Sequence, residues 1–270
     1  MRAAIGVRWT IGDASVRGYE ALRLSIWGAC NLFGPGAAYV VSVNHIAPDE
    51  ARLRTGPVPA GVAWRPPGDF PDFLLAFLDS GMAEGVAWKL APLRLFPERY
   101  EVALDNDCIL WAMPQSVRTW LESDREHQCL LAEDVREAFG RFAELCPPEP
   151  RNCGIRGLPP GFDLGDALRS ILTERPERLI SELDEQGLQV AALCRRCAPL
   201  VVGLDEVTIC SPFHPHLPDL GRCGAHFVGL NVKHIAWDYY DRPADVWMDE
   251  HWARHAPFLY RAVGLAPAYA

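Results

Sequence analysis

Short apolar runs alternate with longer segments of helical periodicity along the first 145 residues, and this alternation constrains the fold more than any other feature. The strand-like runs are Ala3–Trp9, Tyr39–Asn44, Gly61–Trp64, Tyr100–Leu104, Gln128–Leu131 and, later, Leu200–Cys210. The helix-like segments are Val16–Leu32, Phe70–Leu78, Val86–Leu95, Gln115–Glu122, Asp134–Leu145, Leu164–Leu172 and Glu177–Arg195, with a closing helix after Arg242. A β-α-β-α order predicts an α/β fold with a mostly parallel central sheet flanked by helices. Ligands of such sheets bind beyond the carboxyl ends of the strands.

The size and composition of the chain favour one domain. It has 270 residues, of which 49% are hydrophobic, and no Ser/Gly-rich linker or charge run divides it. No apolar run approaches the roughly 20 residues of a membrane-spanning helix, so we expect no transmembrane segment. The first residues, MRAAIGVRWTIGD, meet charged side chains too early for a signal-peptide core, and we expect a cytoplasmic protein.

Charge and cysteine content narrow the classes of partner. The chain has 35 acidic and 26 basic residues and a net charge of −9, which opposes non-specific attraction to nucleic acid or to an anionic membrane. We therefore expect no nucleic-acid partner. Nine cysteines, an odd number spread through predicted core segments, fit reduced thiols better than a disulfide framework.

A pair of acidic residues follows the predicted strand Tyr100–Leu104. In the segment ERYEVALDNDCILW, the strand runs directly into Asp105, Asn106 and Asp107. Two carboxylates at the end of a parallel strand can hold a divalent cation and leave coordination positions open for substrate phosphates. The same pattern also fits a solvated turn, because chance alone produces about one Asp-x-Asp pair in a chain of this composition.

Two longer segments resemble glycosyltransferases with the GT-A fold. WKLAPLRLFPERYEVALDNDCIL is similar to their Asp-x-Asp region, and GAHFVGLNVKHIAW is similar to a segment of the retaining family that includes glycogenin and bacterial galactosyltransferases. The resemblance implies that Asp105, Asp107 and His226 are metal ligands and that Lys233 contacts the donor diphosphate. His226 alone would otherwise be interpreted as a core or surface histidine, and Lys233 as a solvated charge.

Two weaker matches lie between these segments in the same order. NCGI, with Asn152 and Gly154, looks like the acceptor-side strand of the same enzymes, and DEQGL resembles their Asp-Gln-Asp segment. The second match makes Asp184, Glu185 and Gln186 candidate catalytic residues. One of them could stabilise an oxocarbenium-like state in a retaining enzyme or deprotonate the acceptor in an inverting one. The alternative is a polar helix face.

The resemblance also implies a donor, an acceptor and a cofactor, and it assigns different roles to different parts of the chain. The donor would be a nucleotide-diphosphate sugar, the acceptor an unidentified sugar, lipid-linked sugar or protein, and the cofactor Mn²⁺ or Mg²⁺, since oxygen-rich ligands suit hard ions. Within the single domain, residues 1–145 would form the nucleotide-sugar-binding half, 146–240 the acceptor half and 241–270 the closing helix.

Further donor contacts are expected at the strand ends. Arg8, Trp9 and Thr10 lie at the exit of the first strand, where this fold receives the nucleotide, and Trp9 could stack on the base. Lys89 precedes the acidic strand and could reach the sugar or phosphate, and Asn106 lies between the two aspartates. The alternatives are a core tryptophan and a lysine extended along a helix edge.

Rival interpretations use other residues. Cys194, Cys197, Cys210 and Cys223 could hold zinc in an interaction protein, and His251 and His255 lie four apart on the predicted closing helix, where both could face a metal. A non-catalytic protein that binds a nucleotide sugar is the remaining alternative. The sequence lacks the GxxxxGK, GxGxxG and GxSxG motifs, so no motif typical of an NTPase, a dehydrogenase or a hydrolase supports those functions.

Overall fold

Parallel strands build the first half of a central sheet. The computed structural model of the chain describes residues 4–81, 87–122 and 127–266. In it, four strands lie in the order β3-β2-β1-β4, and each pairs in parallel with its neighbours. These strands are β1 (Ile5–Ile11), β2 (Ala38–Val43), β3 (Val62–Arg65) and β4 (Tyr100–Leu104). Helices α1 (Val16–Phe33) and α2 (Pro48–Thr55) connect the first three, as the right-handed crossover of parallel strands requires.

The second half of the sheet is mixed. The long strand β7 (Arg151–Leu158) runs antiparallel to both of its neighbours, β4 and β6 (Leu130–Glu133). At the far edge, β8 (Leu200–Val202) pairs in parallel with β6. The described residues thus form a seven-stranded sheet, β3-β2-β1-β4-β7-β6-β8, which confirms the predicted α/β class with a mostly parallel sheet in a single domain.

A second, smaller sheet lies at the end of β4. It contains β5 (Cys108–Leu110), β9 (Val207–Cys210) and β10 (Gly224–Phe227) in the order β5-β10-β9. Strand β10 is antiparallel to β5 and parallel to β9. Because β5 follows β4 after a three-residue turn, this sheet brings distant parts of the chain to the end of the central strands. Two-residue strands β11 (Asp238–Tyr239) and β12 (Arg242–Pro243) form a separate ribbon.

Helices cover both faces of the central sheet. The remaining helices are α3 (Asp72–Leu75), α4 (Gln115–Glu122), α5 (Leu164–Glu174), α6 (Glu182–Arg196) and α7 (Ala244–Ala262), with 3₁₀ turns at Trp88–Leu90 and Gly140–Leu145. Adjacent β6 residues Leu130 and Leu131 belong to different core clusters, one with α1 and α4 and the other with α5 and α6. Coverage on both faces explains why the parallel strands are nearly continuous apolar runs. Among the described helices, none combines the length and the apolar character needed to cross a membrane.

Local capping residues fix where the helices begin. The Ser15 hydroxyl accepts the amide hydrogen of Gly18 at 3.0 Å and starts α1. Ser181 and Asp184 form a reciprocal capping box at the start of α6. The first turn of α6 is therefore held in place beside the central sheet.

Several predicted elements differ from the structure. The helix predicted over Asp134–Leu145 is only the 3₁₀ turn Gly140–Leu145, since Gly140 has a positive φ of 50° that ends regular helix. The strand predicted over Leu200–Cys210 is divided into β8 and β9. Of the segment predicted as helix Val86–Leu95, the described part contains the 3₁₀ turn Trp88–Leu90, and Val86 itself lies outside the described residues, as does Ala3.

Candidate functional site

A cavity of about 560 Å³ opens where the parallel strands of the central sheet end. Its wall includes residues that follow β1, β2 and β4, residues of the small sheet and the first turn of α6. Polar side chains on this wall include Thr10, Asp105, Asp107, Asn152, Glu185 and His226. The cavity thus occupies the position that parallel α/β sheets offer to a ligand.

The Asp-x-Asp turn and β10 bring three metal-binding side chains together. Asp105 and Asp107 lie in the turn between β4 and β5, and β10 pairs with β5 so that His226 lies opposite Cys108. His226 Nε2 is 3.4 Å from Asp105 Oδ2 and 3.2 Å from Asp107 Oδ1. One ligand atom from each of the three residues lies within 4.8 Å of the other two. The predicted metal ligands therefore form one cluster at the cavity wall.

Charges within this cluster are strongly coupled. Burial alone would lower the pKa of His226, but the carboxylates of Asp105 and Asp107 outweigh burial and raise that pKa to about 10. Burial alone would raise the pKa of Asp105, but Lys89 and His226 hold it well below its usual range. The Lys89 ammonium lies 2.7 Å and 2.9 Å from the two oxygens of Asp105. The two aspartates are therefore accompanied by the Lys89 ammonium and by a His226 ring that carries a proton at neutral pH, and a bound metal ion would take the place of that imidazole proton.

Gly154 leaves space for the ring of His226. A Cβ atom at Gly154 would lie 2.4 Å from both Cε1 and Nδ1 of His226, closer than van der Waals contact allows. Asn152 holds this part of β7, since its side-chain oxygen accepts the Gly154 amide hydrogen at 2.6 Å and its amide donates to Asp134 at 2.9 Å. The structure thus places Asn152 on the cavity wall and gives Gly154 an indirect role, behind the imidazole.

Asn231, which was not among the site residues expected from the sequence, anchors the acidic turn. Its side-chain amide donates to Asn106 Oδ1 at 3.1 Å and to Asp107 Oδ2 at 3.3 Å. Asn106 returns a hydrogen bond to Asn231 Oδ1 at 2.6 Å. A clue was present in the sequence, because Asn231 follows His226 within the same segment, GAHFVGLNVKHIAW.

The first turn of α6 gives its three candidate residues different surroundings. The Asp184 carboxylate accepts backbone hydrogen bonds from Arg141, Ile180 and Ser181, so it is a buried capping group and does not face the cavity. Glu185 and Gln186 line the cavity.

Glu185 and Gln186 also differ from each other in chemistry. Burial raises the pKa of Glu185 to about 7, and the side-chain amide of Gln189 donates to its carboxylate. Gln186 is fixed at both ends of its amide, which donates to Ala138 O at 2.9 Å and accepts from the Cys153 amide at 3.4 Å.

Residues at the end of β1 are divided between cavity and core. Thr10 lines the cavity. Trp9 is 0% exposed and its indole donates to Ser25 at 2.9 Å within the core, so it cannot stack on a nucleotide base. Arg8 is equally buried beneath the cavity, where it lies 3.7 Å from Glu101 and burial lowers its pKa to about 10. Neither Arg8 nor Trp9 can therefore make the donor contact expected from the sequence.

Lys233 lies outside the cavity wall, at its rim. The side chain is 54% exposed and its ammonium is 2.5 Å from Asp13, which does line the cavity. A ligand phosphate would have to compete with Asp13 for this lysine.

The four cysteines proposed as a zinc site do not converge in the described part of the chain. Cys197 interacts with the buried thiol of Cys129 instead. Cys210 lies beside His251, 3.4 Å from Sγ to Nε2, and His255 completes a second cluster of metal-binding side chains. The four-thiol interpretation is therefore wrong, whereas the two histidines do share one face of α7.

Comparisons with known proteins identify the fold. No family model and no curated protein matches the chain. The galactosyltransferase LgtC, solved in complex with donor and acceptor sugar analogs, shares 10% identity over 97% of this chain and 98% of its own, with a TM-score of 0.53. An active-site mutant of LgtC gives 9% identity, coverage of 96% and 99%, and a TM-score of 0.52.

A third solved structure is similar over part of its length. The bifunctional glycosyltransferase WbbM, in its apo form, shares 15% identity over 97% of this chain, with a TM-score of 0.55. This chain spans about half, 52%, of the WbbM structure. The fold is the GT-A glycosyltransferase fold, as the sequence resemblance predicted.

Proposed function

We propose that the protein is a metal-dependent glycosyltransferase of the hexosyltransferase type, which transfers a sugar from a nucleotide-diphosphate sugar to an acceptor. The observation that carries this proposal is the cluster of Asp105, Asp107 and His226 at the wall of a cavity of about 560 Å³. The cluster lies at the strand ends of a GT-A fold, and LgtC, which has the same fold, was solved with donor and acceptor sugar analogs.

The donor set fits Mn²⁺ or Mg²⁺. Two carboxylates supply hard oxygen ligands, one imidazole adds a nitrogen ligand, and the remaining octahedral positions are left open for a diphosphate. His226 Nδ1 is buried and, within the described residues, has no hydrogen-bond partner, so the ring is positioned by packing against Gly154. When bound, the ion would neutralise the charge that grows on the departing nucleotide diphosphate. Asp105, Asp107 and His226 would hold it, and Asn231 would keep Asp107 in position.

Side chains around this cluster would bind the rest of the donor. Thr10 and Asn152 offer a hydroxyl and an amide on the cavity wall. Lys89, now paired with Asp105, would place its charge beside the sugar or phosphate. Lys233 would exchange Asp13 for a donor phosphate, and Asn106 would act through Asn231.

Glu185 and Gln186 are the candidates for chemistry at the sugar. With a pKa near 7, Glu185 can hold or release a proton at neutral pH, which suits a base for the acceptor hydroxyl in an inverting reaction. In a retaining reaction, the fixed carbonyl oxygen of Gln186 or the carboxylate of Glu185 would stabilise positive charge on the sugar. Asp184 is assigned to capping of α6 only.

The acceptor would enter from the second half of the chain. We assign donor binding to residues 1–145, acceptor binding to 146–240 and closure of the fold to 241–270. The acceptor itself would be a sugar, a lipid-linked sugar or a protein.

Thermal unfolding with candidate donors tests the proposal. UDP-, GDP-, CMP- and dTDP-sugars are added with and without Mn²⁺, and one donor should raise Tm only when the metal is present, because a ligand of the folded state stabilises it. The pair of substitutions Asp105→Ala and Asp107→Ala should abolish this shift together with donor hydrolysis or transfer. Asp205→Ala, which removes an exposed partner of Arg222, is the matched control and should leave both intact.

Two outcomes would contradict the proposal. Full activity of the double variant would remove the metal cluster from the mechanism. A metal-dependent shift without hydrolysis or transfer to any sugar, lipid-linked sugar or protein acceptor would instead indicate a protein that binds nucleotide sugars without catalysis.

A further inference from the structure

A second group of metal-binding side chains lies buried behind the small sheet. Cys210 ends β9, and His251 and His255 lie one turn apart on α7. They are 0%, 4% and 8% exposed, and one ligand atom from each lies within 4.8 Å of the other two. Two histidines at positions i and i+4 share one face of a helix, so β9 and α7 present three ligands to one point.

The distances in this group are those of ligands around zinc. Cys210 Sγ and His251 Nε2 are 3.4 Å apart. A tetrahedral zinc ion with bonds of about 2.3 Å to sulfur and about 2.0 Å to nitrogen places these two atoms about 3.5 Å apart. The His251 and His255 rings are edge to face, with centroids 4.7 Å apart. An ion could therefore bind with little movement of the two elements.

A backbone hydrogen bond and the lowered pKa values of the two histidines favour metal binding. His255 Nε2 is 2.9 Å from the carbonyl oxygen of Pro218, and donation to a carbonyl fixes the ring and leaves Nδ1 with a free electron pair. Burial lowers the pKa of His251 to about 4 and also lowers that of His255, so both rings are neutral at pH 7. Exposed Asp219 adds a negative charge close enough to act on all three ligands.

We propose that Cys210, His251 and His255 bind a structural Zn²⁺ ion, with water or the Asp219 carboxylate as fourth ligand. A thiolate combined with imidazoles selects zinc over the hard ions suited to an Asp-rich site. On binding, the thiol proton of Cys210 passes to solvent and a sulfur–zinc bond replaces the S–H bond. The thiolate and Asp219 together balance the charge of the ion.

Such a site would brace the strand that carries His226. Phe227, the next residue of β10, points to the opposite face of the small sheet. Its ring centroid is 5.3 Å from that of Trp252 and 6.0 Å from those of both His251 and His255. Zinc would join α7 to β9 around this aromatic contact and would thereby stabilise the small sheet. This structural role does not depend on which sugar donor the protein binds.

Elemental analysis of the 270-residue chain, purified from zinc-supplemented culture without chelator, tests the proposal. We expect about one zinc per chain. Cys210→Ser and His251→Gln should each lose about nine-tenths or more of it, because loss of a direct ligand weakens binding by more than the roughly 10- to 100-fold that loss of an outer-shell partner costs. Cys194→Ser is the matched control, since it removes a thiol outside the cluster, and it should keep its zinc. The pair Asp105→Ala and Asp107→Ala should also keep it.

Cobalt provides a readout that does not depend on stability of the variants. Co²⁺ added to the metal-depleted wild-type protein should show tetrahedral absorption bands and a thiolate-to-cobalt charge-transfer band. If Cys210→Ser does not fold by circular dichroism, His255→Gln replaces it and should lose the zinc. Wild-type protein without zinc and without the thiolate band would overturn the proposal, and so would zinc retained by His251→Gln and His255→Gln.

Discussion

Replacement of Glu185 by glutamine should make the protein more stable, and more so at high pH. Glu185 is 2% exposed, and burial raises its pKa from an ordinary value of 4.5 to about 7. Glutamine has nearly the same shape and keeps an oxygen that accepts the Gln189 amide. The substitution therefore removes the charge and leaves the packing.

The sign and size follow from proton linkage. The folded state binds the Glu185 proton more tightly than the unfolded chain, so this contribution to stability is full below about pH 4.5 and is lost as pH rises through about 7. A difference of about 2.5 in pKa corresponds to about 3 kcal/mol, of which about 2.5 kcal/mol is lost between pH 5 and pH 8. Glu185→Gln has no carboxyl proton to lose at this position, so its stability does not fall over this pH range.

Urea unfolding of both proteins at pH 5 and pH 8, with a chelator present, measures the effect. The variant should gain about 2.5 kcal/mol of unfolding free energy relative to wild type on going from pH 5 to pH 8. Glu182→Gln, an exposed change in the same helix turn, is the control and should show no such gain. If the unfolding free energies of Glu185→Gln and wild type differ by the same amount at both pH values, burial does not raise the pKa of Glu185 and the reasoning is refuted.

Three further predictions concern close packing and the metal. Gly154→Ala places a methyl group 2.4 Å from the His226 ring and should weaken Mn²⁺ binding about tenfold, or about 1.4 kcal/mol, in calorimetric titration. An unchanged Kd would show that this ring does not bind the metal. Gly187→Ala would bring a Cβ atom within 2.0 Å of Phe139 O and should cost about 2 kcal/mol of unfolding free energy in urea. Gly36→Ala, which meets open space, should cost less than about 0.5 kcal/mol. Addition of EDTA should remove the donor-induced rise in Tm. At a donor concentration of 100 Kd, that rise corresponds to about 2.7 kcal/mol of stabilisation. A rise that survives EDTA would mean that the donor binds without metal.

Elements with one dominant signal were predictable from the sequence. The strand Tyr100–Leu104 and the helix Gln115–Glu122 have the predicted bounds. The strand is a short run in which Glu101 is the one charged residue, and the helix follows Pro114 and repeats apolar residues at helical spacing. Strand β7 gave no such signal. Its sequence, RNCGIRGL, contains two arginines and two glycines, yet nearly all of it is buried. Arg156 donates there to the side chain of Gln189, and Gly157 makes room for Trp120, so tertiary partners decide this strand.

The sequence predicted the ligands of the metal cluster and their order along the chain, but it did not predict which residues hold those ligands in position. Asp105 and His226 are far apart in sequence and meet because β10 pairs with β5. Asn231 and Gly154 position the cluster through contacts that depend on this pairing. The resemblance selected Gly154 but not its place behind the imidazole, and it did not select Asn231. A short motif identifies the ligands, whereas the groups that orient them appear only when the strands are assembled.

The end of β1 shows an error that strand geometry alone could have prevented. Successive side chains in a strand point to opposite faces, so Arg8, Trp9 and Thr10 cannot all face one ligand. Thr10 reaches the cavity, and Arg8, two residues earlier on the same face, lies deeper, beside Glu101. Trp9 must then point to the other face, where its indole bonds to Ser25 of α1. We therefore expect Trp9→Phe, which removes the indole donor to the Ser25 hydroxyl, to lower the free energy of unfolding by about 1 kcal/mol and to leave donor binding unchanged.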